Sequence, residues 1–402
     1  MEIYNSAHIQ ALVTTHTNHI ITCNLDDLFS ITTITNDENA NELVLKLAKE
    51  CNLDDLFSIT NDENANELVL KLAKECNTIS SNTASVIGYM VNEPYNISYW
   101  KQYVELFNSK LRGSRSLILI LNSHYVNYSF SFNVVYIDFY LMRTWFKSNS
   151  KHSNQNVNTK WNYKSETFLC LLGKIDKVHR LGLLYKLSTN GILDKCKWSM
   201  HVPTHLNEYT IKQAIPQLSL DDIEEFITLH KHSLDTIAPT SNNSTIFDYS
   251  GFPYNPNEYS NTAFRLISET FIERNDSESI PWITEKTWIS ILNHHPFIMV
   301  GEKGTLELLQ SKGFKTFNEY LPIPDYDTIS NVNEKLNACV SNTINFFDVI
   351  HSHKEQIQND IEHNINNFEK IVKKNESVMR NVANEVGLGG EFDVYKIIPI
   401  FH

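Results

Sequence analysis

The sequence predicts a two-lobed α/β protein with parallel sheets and a helical C-terminal extension, and three observations predict it. The chain has 402 residues, 42% of them hydrophobic, and single cores rarely keep growing beyond roughly 250 residues, so two lobes are expected. Short apolar runs alternate with helical patterns from Thr167 to Phe317, the order in which a parallel sheet with helices on both faces is built. From Asn331 to Val386 apolar side chains recur three, four or seven residues apart, which buries one stripe of a long helical stretch.

Taken in chain order, the first feature is a duplication. Residues 23–50 recur at 51–75, identical once three residues of the stretch Thr32-Thr33-Ile34-Thr35 are removed. Each copy reads as an acidic lead-in followed by a short amphipathic helix, Glu42–Glu50 and Glu67–Glu75. Two copies are too few for a stacked array, which needs three or more units to bury a continuous face. They read as a recent tandem duplication. Beyond them the first lobe continues with a strand at Ala84–Met90, a helix at Ser98–Leu111, and strands at Ser116–Asn122 and Val134–Leu141.

A polar stretch rich in Asn, Ser and Lys at 148–165 reads as the linker. The domain plan is therefore an N-terminal lobe over 1–147, a second lobe over 166–330 and a helical extension over 331–402. The second lobe opens with a strand at Thr167–Leu172, a turn at Gly173–Lys177, and a helix from His179 that Gly191 stops. A helix at Leu220–His230 follows, then a strand at Ala263–Ser268, a helix at Glu285–Asn293 and a strand at Phe297–Val300. A helix at Thr305–Ser311 and a short strand at Phe314–Phe317 complete it. The extension's stripe runs through Leu336, Val340, Ile344, Phe347, Ile350, Ile357, Ile361, Ile365, Phe368 and Ile371, and its expected role is to cross back and brace the first lobe.

Composition excludes several function classes. A formal charge of -13 argues against a nucleic-acid backbone or an anionic membrane as main partner, since both attract excess Lys and Arg. No segment reaches the ~18 apolar residues of a membrane span. The opening Met1-Glu2-Ile3-Tyr4 lacks the basic flank and apolar core of a secretory signal. Cys23, Cys51, Cys76, Cys170, Cys196 and Cys339 are scattered without CxxC spacing, as reduced buried thiols would be. The expected compartment is the cytoplasm. Abundant Asn, Ile, Tyr and Phe suggest an AT-rich genome, and for a viral source the compartment is the host cytoplasm.

Ligands of parallel sheets collect at the carboxyl ends of the strands. Three loops qualify. One carries Lys174, Lys177, His179 and Arg180 at a helix start, where cations oppose the helix dipole and so suggest a bound anion. The second follows the Ala263–Ser268 strand and carries Glu269, with Glu273 to Glu278 beyond it. The third is Thr284-Glu285-Lys286, in which a Glu can accept from ribose hydroxyls while Lys and helix amides meet phosphate oxygens. Asp325-Tyr326-Asp327 has the spacing of a metal-holding motif, but it follows the last strand instead of ending one within the sheet. The pairs His294-His295, His230/His232 and His351/His353 lack a third ligand and read as surface histidines.

The string 259–317, YSNTAFRLISETFIERNDSESIPWITEKTWISILNHHPFIMVGEKGTLELLQSKGFKTF, resembles the donor lobe of viral and bacterial proteins distantly similar to fucosyltransferases. The string 166–199, ETFLCLLGKIDKVHRLGLLYKLSTNGILDKCKWS, resembles the same family's strand, basic loop and His-Arg helix. The resemblance covers about residues 165–330. It implies two Rossmann-like lobes of the GT-B type, 1–147 holding the acceptor and 166–330 the donor. It also implies a hexosyl- or fucosyl-type glycosyltransferase that moves sugar from a nucleoside-diphosphate sugar, a GDP-sugar being the candidate, to a hydroxyl acceptor such as a glycan.

Carried over by position, the resemblance gives Arg180 and Lys286 the diphosphate, Glu285 (after Thr284) the ribose and Glu269 the transferred sugar. Gly301 would let backbone approach the donor. No metal is implied, because fixed cations neutralise the leaving diphosphate. The catalytic base is unassigned, with Asp138 and Glu93 as candidates. Two other readings of the sequence stand beside this one: a non-catalytic sugar-nucleotide or glycan-binding protein descended from a transferase, and an interaction protein that uses the acidic repeat helices.

Overall fold

The computed structural model describes residues 13–17, 20–24, 70, 73, 85–90, 97–111, 117–123, 128–152, 161–174, 178–201, 246–247, 253–254, 259–273 and 280–385. The chain divides into two compact units, Met1–Phe139 with Lys373–His402, and Tyr140–Val372. Apart from residues 23, 24, 70 and 73, the tandem copies lie outside the described residues, as do the expected helix Leu220–His230 and the loop residues Ile175 to Lys177.

The first unit is built on a five-stranded sheet. Strand β1 (Val13–Thr17) runs antiparallel to β2 (Ile20–Asn24), which pairs in parallel with β3 (Ser85–Met90). Helix α1 (Ile97–Lys110) leads to β4 (Leu117–Asn122), and β5 (Asn133–Ile137) closes the sheet in the order β1-β2-β3-β4-β5. All six residues of β4 are buried, as a central strand covered on both faces requires. The run expected as one strand over Val134–Leu141 divides instead. The strand ends at Ile137, and helix α2 (Phe139–His152) begins two residues later.

Helix α2 also fills the first residues, 148 to 152, of the stretch read as a linker. Apart from Phe139 it belongs to the second unit. There β6 (Phe168–Lys174), α3 (Val178–Thr189) and β7 (Cys196–His201) form a β-α-β unit. A small antiparallel pair follows, β8 (Ile246–Phe247) with β9 (Pro253–Tyr254). Next come β10 (Arg265–Ser268), α4 (Glu285–Leu292), β11 (Phe297–Val300) and α5 (Thr305–Ser311). Gly191 stops α3 in the left-handed conformation, φ 67°, while its N–H and that of Ile192 donate to Ser188 O and Leu187 O. These bonds satisfy carbonyls the helix end would otherwise leave open.

The second sheet is all parallel, in the order β11-β10-β6-β7. The chain steps from β6 outward to β7, then returns to the other side of β6 and steps away through β10 to β11. The direction of winding therefore reverses between β6 and β10. Crossovers of one hand moving in opposite directions put α3 and α4 on opposite faces of the sheet. In sheets of this kind, ligands bind outside the carboxyl ends of the strands at such a reversal point.

Two long helices, α6 (Val332–Ser352) and α7 (Lys354–Glu385), replace the single stretch expected from 331 to 386. Asn331 caps α6 by accepting the Glu334 N–H at 3.0 Å, which satisfies a first-turn donor. Along the expected stripe Leu336, Val340, Ile350, Ile357, Ile361 and Phe368 are buried, but Ile344 is exposed and Phe346 takes the core position. Phe346 and Phe347 both meet Phe264 edge-on, and Phe264 stacks on Phe168 at 5.1 Å. Across α4, Trp288 contacts Phe368 of α7, which also meets Trp145 of α2. Residues of α7 up to Val372 thus belong to the second unit, and those from Lys373 group with the first.

The strand expected at Phe314–Phe317 is absent. Gly313 at φ 84° and Phe317 at φ 62° bracket the segment in left-handed conformations, which a strand does not accommodate. Its backbone polar groups turn to a side chain instead. Lys315 N–H donates to Asn364 Oδ1 at 2.7 Å, and Lys315 O accepts from Asn364 Nδ2 at 2.9 Å.

Candidate anion-binding site at the carboxyl edge of the second sheet

Three chain segments meet where the winding reverses: the start of α3 after β6, the segment after β10, and the start of α4. Their link is a chain of hydrogen bonds. His179 in the first turn of α3 is buried, and its Nε2 lies 3.0 Å from the Glu269 carbonyl oxygen, so the ring nitrogen donates there. The Glu269 carboxylate in turn grips the start of α4. Its Oε1 accepts from the Thr284 N–H at 3.3 Å and the Thr287 hydroxyl at 2.6 Å, while its Oε2 accepts from the Thr284 hydroxyl.

Local sequence explains this grip. Thr284 is the N-cap residue of α4, extended at φ -106° and ψ -177°, but its hydroxyl does not cap the helix. Glu269 supplies the acceptor in its place, and a carboxylate at a helix N-terminus is favoured by the dipole as well as by the open amides. Glu269 is fully buried, so its charge is held by fixed N–H and O–H donors instead of water.

Lys286 completes the chain. Its Nζ donates to Thr284 Oγ1 at 3.1 Å and to Glu285 Oε1 at 3.0 Å, and lies 3.5 Å from Thr270 Oγ1. Both partners of the ion pair are largely shielded, with side-chain exposures of 7% for Lys286 and 14% for Glu285. Burial alone would raise the Glu285 carboxyl. The adjacent Lys286 ammonium outweighs it, with a smaller contribution from the Arg143 guanidinium, and holds Glu285 below the usual carboxylate range.

Arg180 stands beside His179 in the first turn of α3 and is buried at 5% exposure. Arg180, Glu269, Thr284, Glu285 and Lys286 therefore all lie on segments that open at the carboxyl edge of one sheet. Gly301 follows β11 at the same edge, but its own geometry answers to the protein. A Cβ there would meet Thr305 Oγ1 at 3.0 Å, and its carbonyl accepts from Lys335 Nζ at 3.1 Å.

Other expectations take a structural form. Asp327 accepts the Leu306 N–H at 3.1 Å and so caps α5, and the Tyr326 hydroxyl accepts the Met299 N–H at 3.1 Å. These side chains of the Asp-Tyr-Asp motif are buried and spent on internal partners. His295 is not a surface histidine. It is buried, with Nε2 3.0 Å from both the hydroxyl and the backbone carbonyl of Thr262 and Nδ1 3.2 Å from the Asn293 carbonyl. Asp138, one candidate base, stands just past β5 and accepts from the Ser123 hydroxyl. Glu93, the other, lies outside the described residues.

Three contributors were not assigned a role from sequence. His179 was visible only as part of a basic turn. Thr287 carried no signal, although it lies one turn past the N-cap of α4, where a hydroxyl can reach an acceptor at the helix start. Arg143 sits on α2, in a stretch read as the first lobe. Compared with protein-family models, curated proteins and solved structures, the chain matches none.

Proposed function

We propose that this chain is a glycosyltransferase that moves a sugar from a nucleoside-diphosphate sugar to a hydroxyl acceptor, with residues 140–372 as the donor lobe of a GT-B arrangement. One observation carries the reading. At the reversal point of a parallel sheet, two helix starts each present a buried cation, Arg180 on α3 and Lys286 on α4, and the bonds through His179, Glu269 and Thr284 fix one start to the other.

In this reading Lys286, Arg180 and the amides of the α4 start receive the diphosphate, and their positive charge stabilises the leaving nucleoside diphosphate as the sugar departs. Glu285 accepts from the ribose hydroxyls once Lys286 has turned to phosphate. Glu269 is a positioning residue, since both carboxylate oxygens are taken up by Thr284 and Thr287.

The test is a panel of nucleotide sugars, read first by thermal stabilisation and then by release of nucleoside diphosphate with and without a glycan acceptor. A true donor raises the melting temperature of the wild type. Lys286→Ala should lower turnover about a hundredfold or more, the scale of losing one preorganised charge-stabilising group. Equal turnover in the variant would remove Lys286 from the mechanism. Stabilisation by a nucleotide sugar without turnover would convert the reading to a binding protein.

A further inference from the structure

We propose that Arg143 is the alternate counter-charge of Glu285: a positioning residue that takes over the Glu285 carboxylate when Lys286 turns to a bound diphosphate. The inference rests on the functional reading above and names how that site exchanges its charges.

The need for such a group follows from the ligand-free geometry. Lys286 is committed to Glu285 at 3.0 Å, and both side chains are largely shielded from water. A diphosphate that draws Lys286 away leaves behind a shielded carboxylate without its cation, and breaking one partner out of a buried pair is costly. That cost would fall on every binding event unless a second cation stands within reach.

Helix α2 brings one. Its Tyr140 ring meets Trp282 edge-on at 6.1 Å between centroids, and Trp282 lies three residues before Glu285. One turn further along α2, Arg143 lies over the Tyr140 ring at 6.0 Å. Residues three apart share a helix face, so the guanidinium rests on the Tyr140 ring, whose aromatic partner Trp282 precedes the start of α4. Arg143 is half-buried and makes no ion pair among the described residues. Its charge already acts on the Glu285 carboxyl from beyond contact distance. Arginine suits the task because it remains charged and offers a fork of donors to a carboxylate.

The experiment has a ligand-free arm and a ligand arm. In the first, urea unfolding is measured for Arg143→Gln, Lys286→Met and the double variant, with Lys286→Gln as the substitute where the methionine variant does not fold. With Lys286 present, Arg143→Gln should barely move the unfolding constant. With Lys286 gone, the same change should shift it about fivefold further, the scale of a partly exposed ion pair. Additive effects would overturn the proposal.

In the second arm, binding of GDP and of inorganic pyrophosphate is measured by calorimetry. Arg143→Gln should weaken both about tenfold, and adding Glu285→Gln should remove most of that loss, because the neutral side chain no longer needs a cation. A loss that persists unchanged with Glu285→Gln would mean that Arg143 touches the anion itself and would overturn the positioning role. If neither probe binds the wild type, the functional reading fails, while the unfolding cycle still decides whether Arg143 backs Glu285.

Discussion

The two ends of β10 each carry a buried charge that holds α4, and they do so in opposite ways. At the amino end, Arg265 Nη1 donates to the Tyr259 hydroxyl at 2.5 Å, the Lys286 carbonyl at 2.9 Å and the Ser290 hydroxyl at 3.2 Å. Its neighbours there are neutral, including a histidine that burial keeps unprotonated. Just past the carboxyl end, Glu269 holds the first turn of α4 among charges of both signs, with Glu285 and Lys286 on the turn it grips. The amino end is a closed polar knot that fixes the helix body. The carboxyl end fixes a helix start whose cation, Lys286, stands where the sheet reverses its winding. Burial and hydrogen bonding are common to both, so they do not mark a site; position on the sheet does.

The comparison breaks most visibly at Glu269. Glu269→Ala leaves the Thr284 N–H and two buried hydroxyls without their acceptor, and should cost about 4 kcal/mol of stability in urea unfolding. Glu269→Gln, which keeps an acceptor, should recover part of this. A loss below about 1 kcal/mol would show that the carboxylate does not hold α4.

At the amino end the expected signature is a pH dependence. Burial, with a smaller push from the Arg265 charge, lowers the His295 imidazole to about 4, against about 6.5 in the unfolded chain. Above pH 6.5 the ring is neutral in both states and contributes nothing. As pH falls from 6.5 to 4, the unfolded chain takes up a proton that the folded protein refuses, and stability drops by about 3 kcal/mol. His295→Gln should flatten that part of the profile relative to wild type; parallel profiles would place the titration elsewhere.

Smaller effects sharpen the contrast further. Arg265→Met removes the shared donor of three acceptors, two of which are hydroxyls that can re-pair, and should cost about 2 kcal/mol. It should leave binding of pyrophosphate less affected than Lys286→Ala does, as calorimetry would show. Gly301→Ala should cost about 1 kcal/mol through the Thr305 contact, and combining it with Thr305→Ser, which removes a methyl but leaves the hydroxyl, should restore little. Full recovery would mean that the methyl, 3.4 Å from the added carbon, sets the limit.

Much of this was legible in the sequence, and the parts that were not share a physical cause. Helix α4 begins at Glu285 and strand β11 spans Phe297–Val300 as read, because a capping position, an amphipathic run and a short apolar run between Pro296 and Gly301 leave few alternatives. The run Val134–Leu141 misled, since a short apolar stretch suits a buried strand and a buried helix turn alike. That single ambiguity concealed the start of α2, and with it the placement of Arg143. Phe314–Phe317 misled for another reason: the apolar side chains are buried as a strand's would be, but Asn364, some fifty residues away in sequence, supplies the backbone partners. The grip of Glu269 on α4 depends on a similar long-range pairing, which no local spacing reveals.

The bond from the Met299 amide to the Tyr326 hydroxyl has a consequence for how copies of this protein meet one another. Among the described residues β11 is the outermost strand of the second sheet, and an outermost strand with open amides invites a foreign strand to add to it. Here a phenol fills one of those openings and the Lys335 ammonium occupies the carbonyl at the strand's end. Substituting Tyr326 with phenylalanine would keep the ring and bare the amide, turning a sealed flank into a nucleus for aggregation.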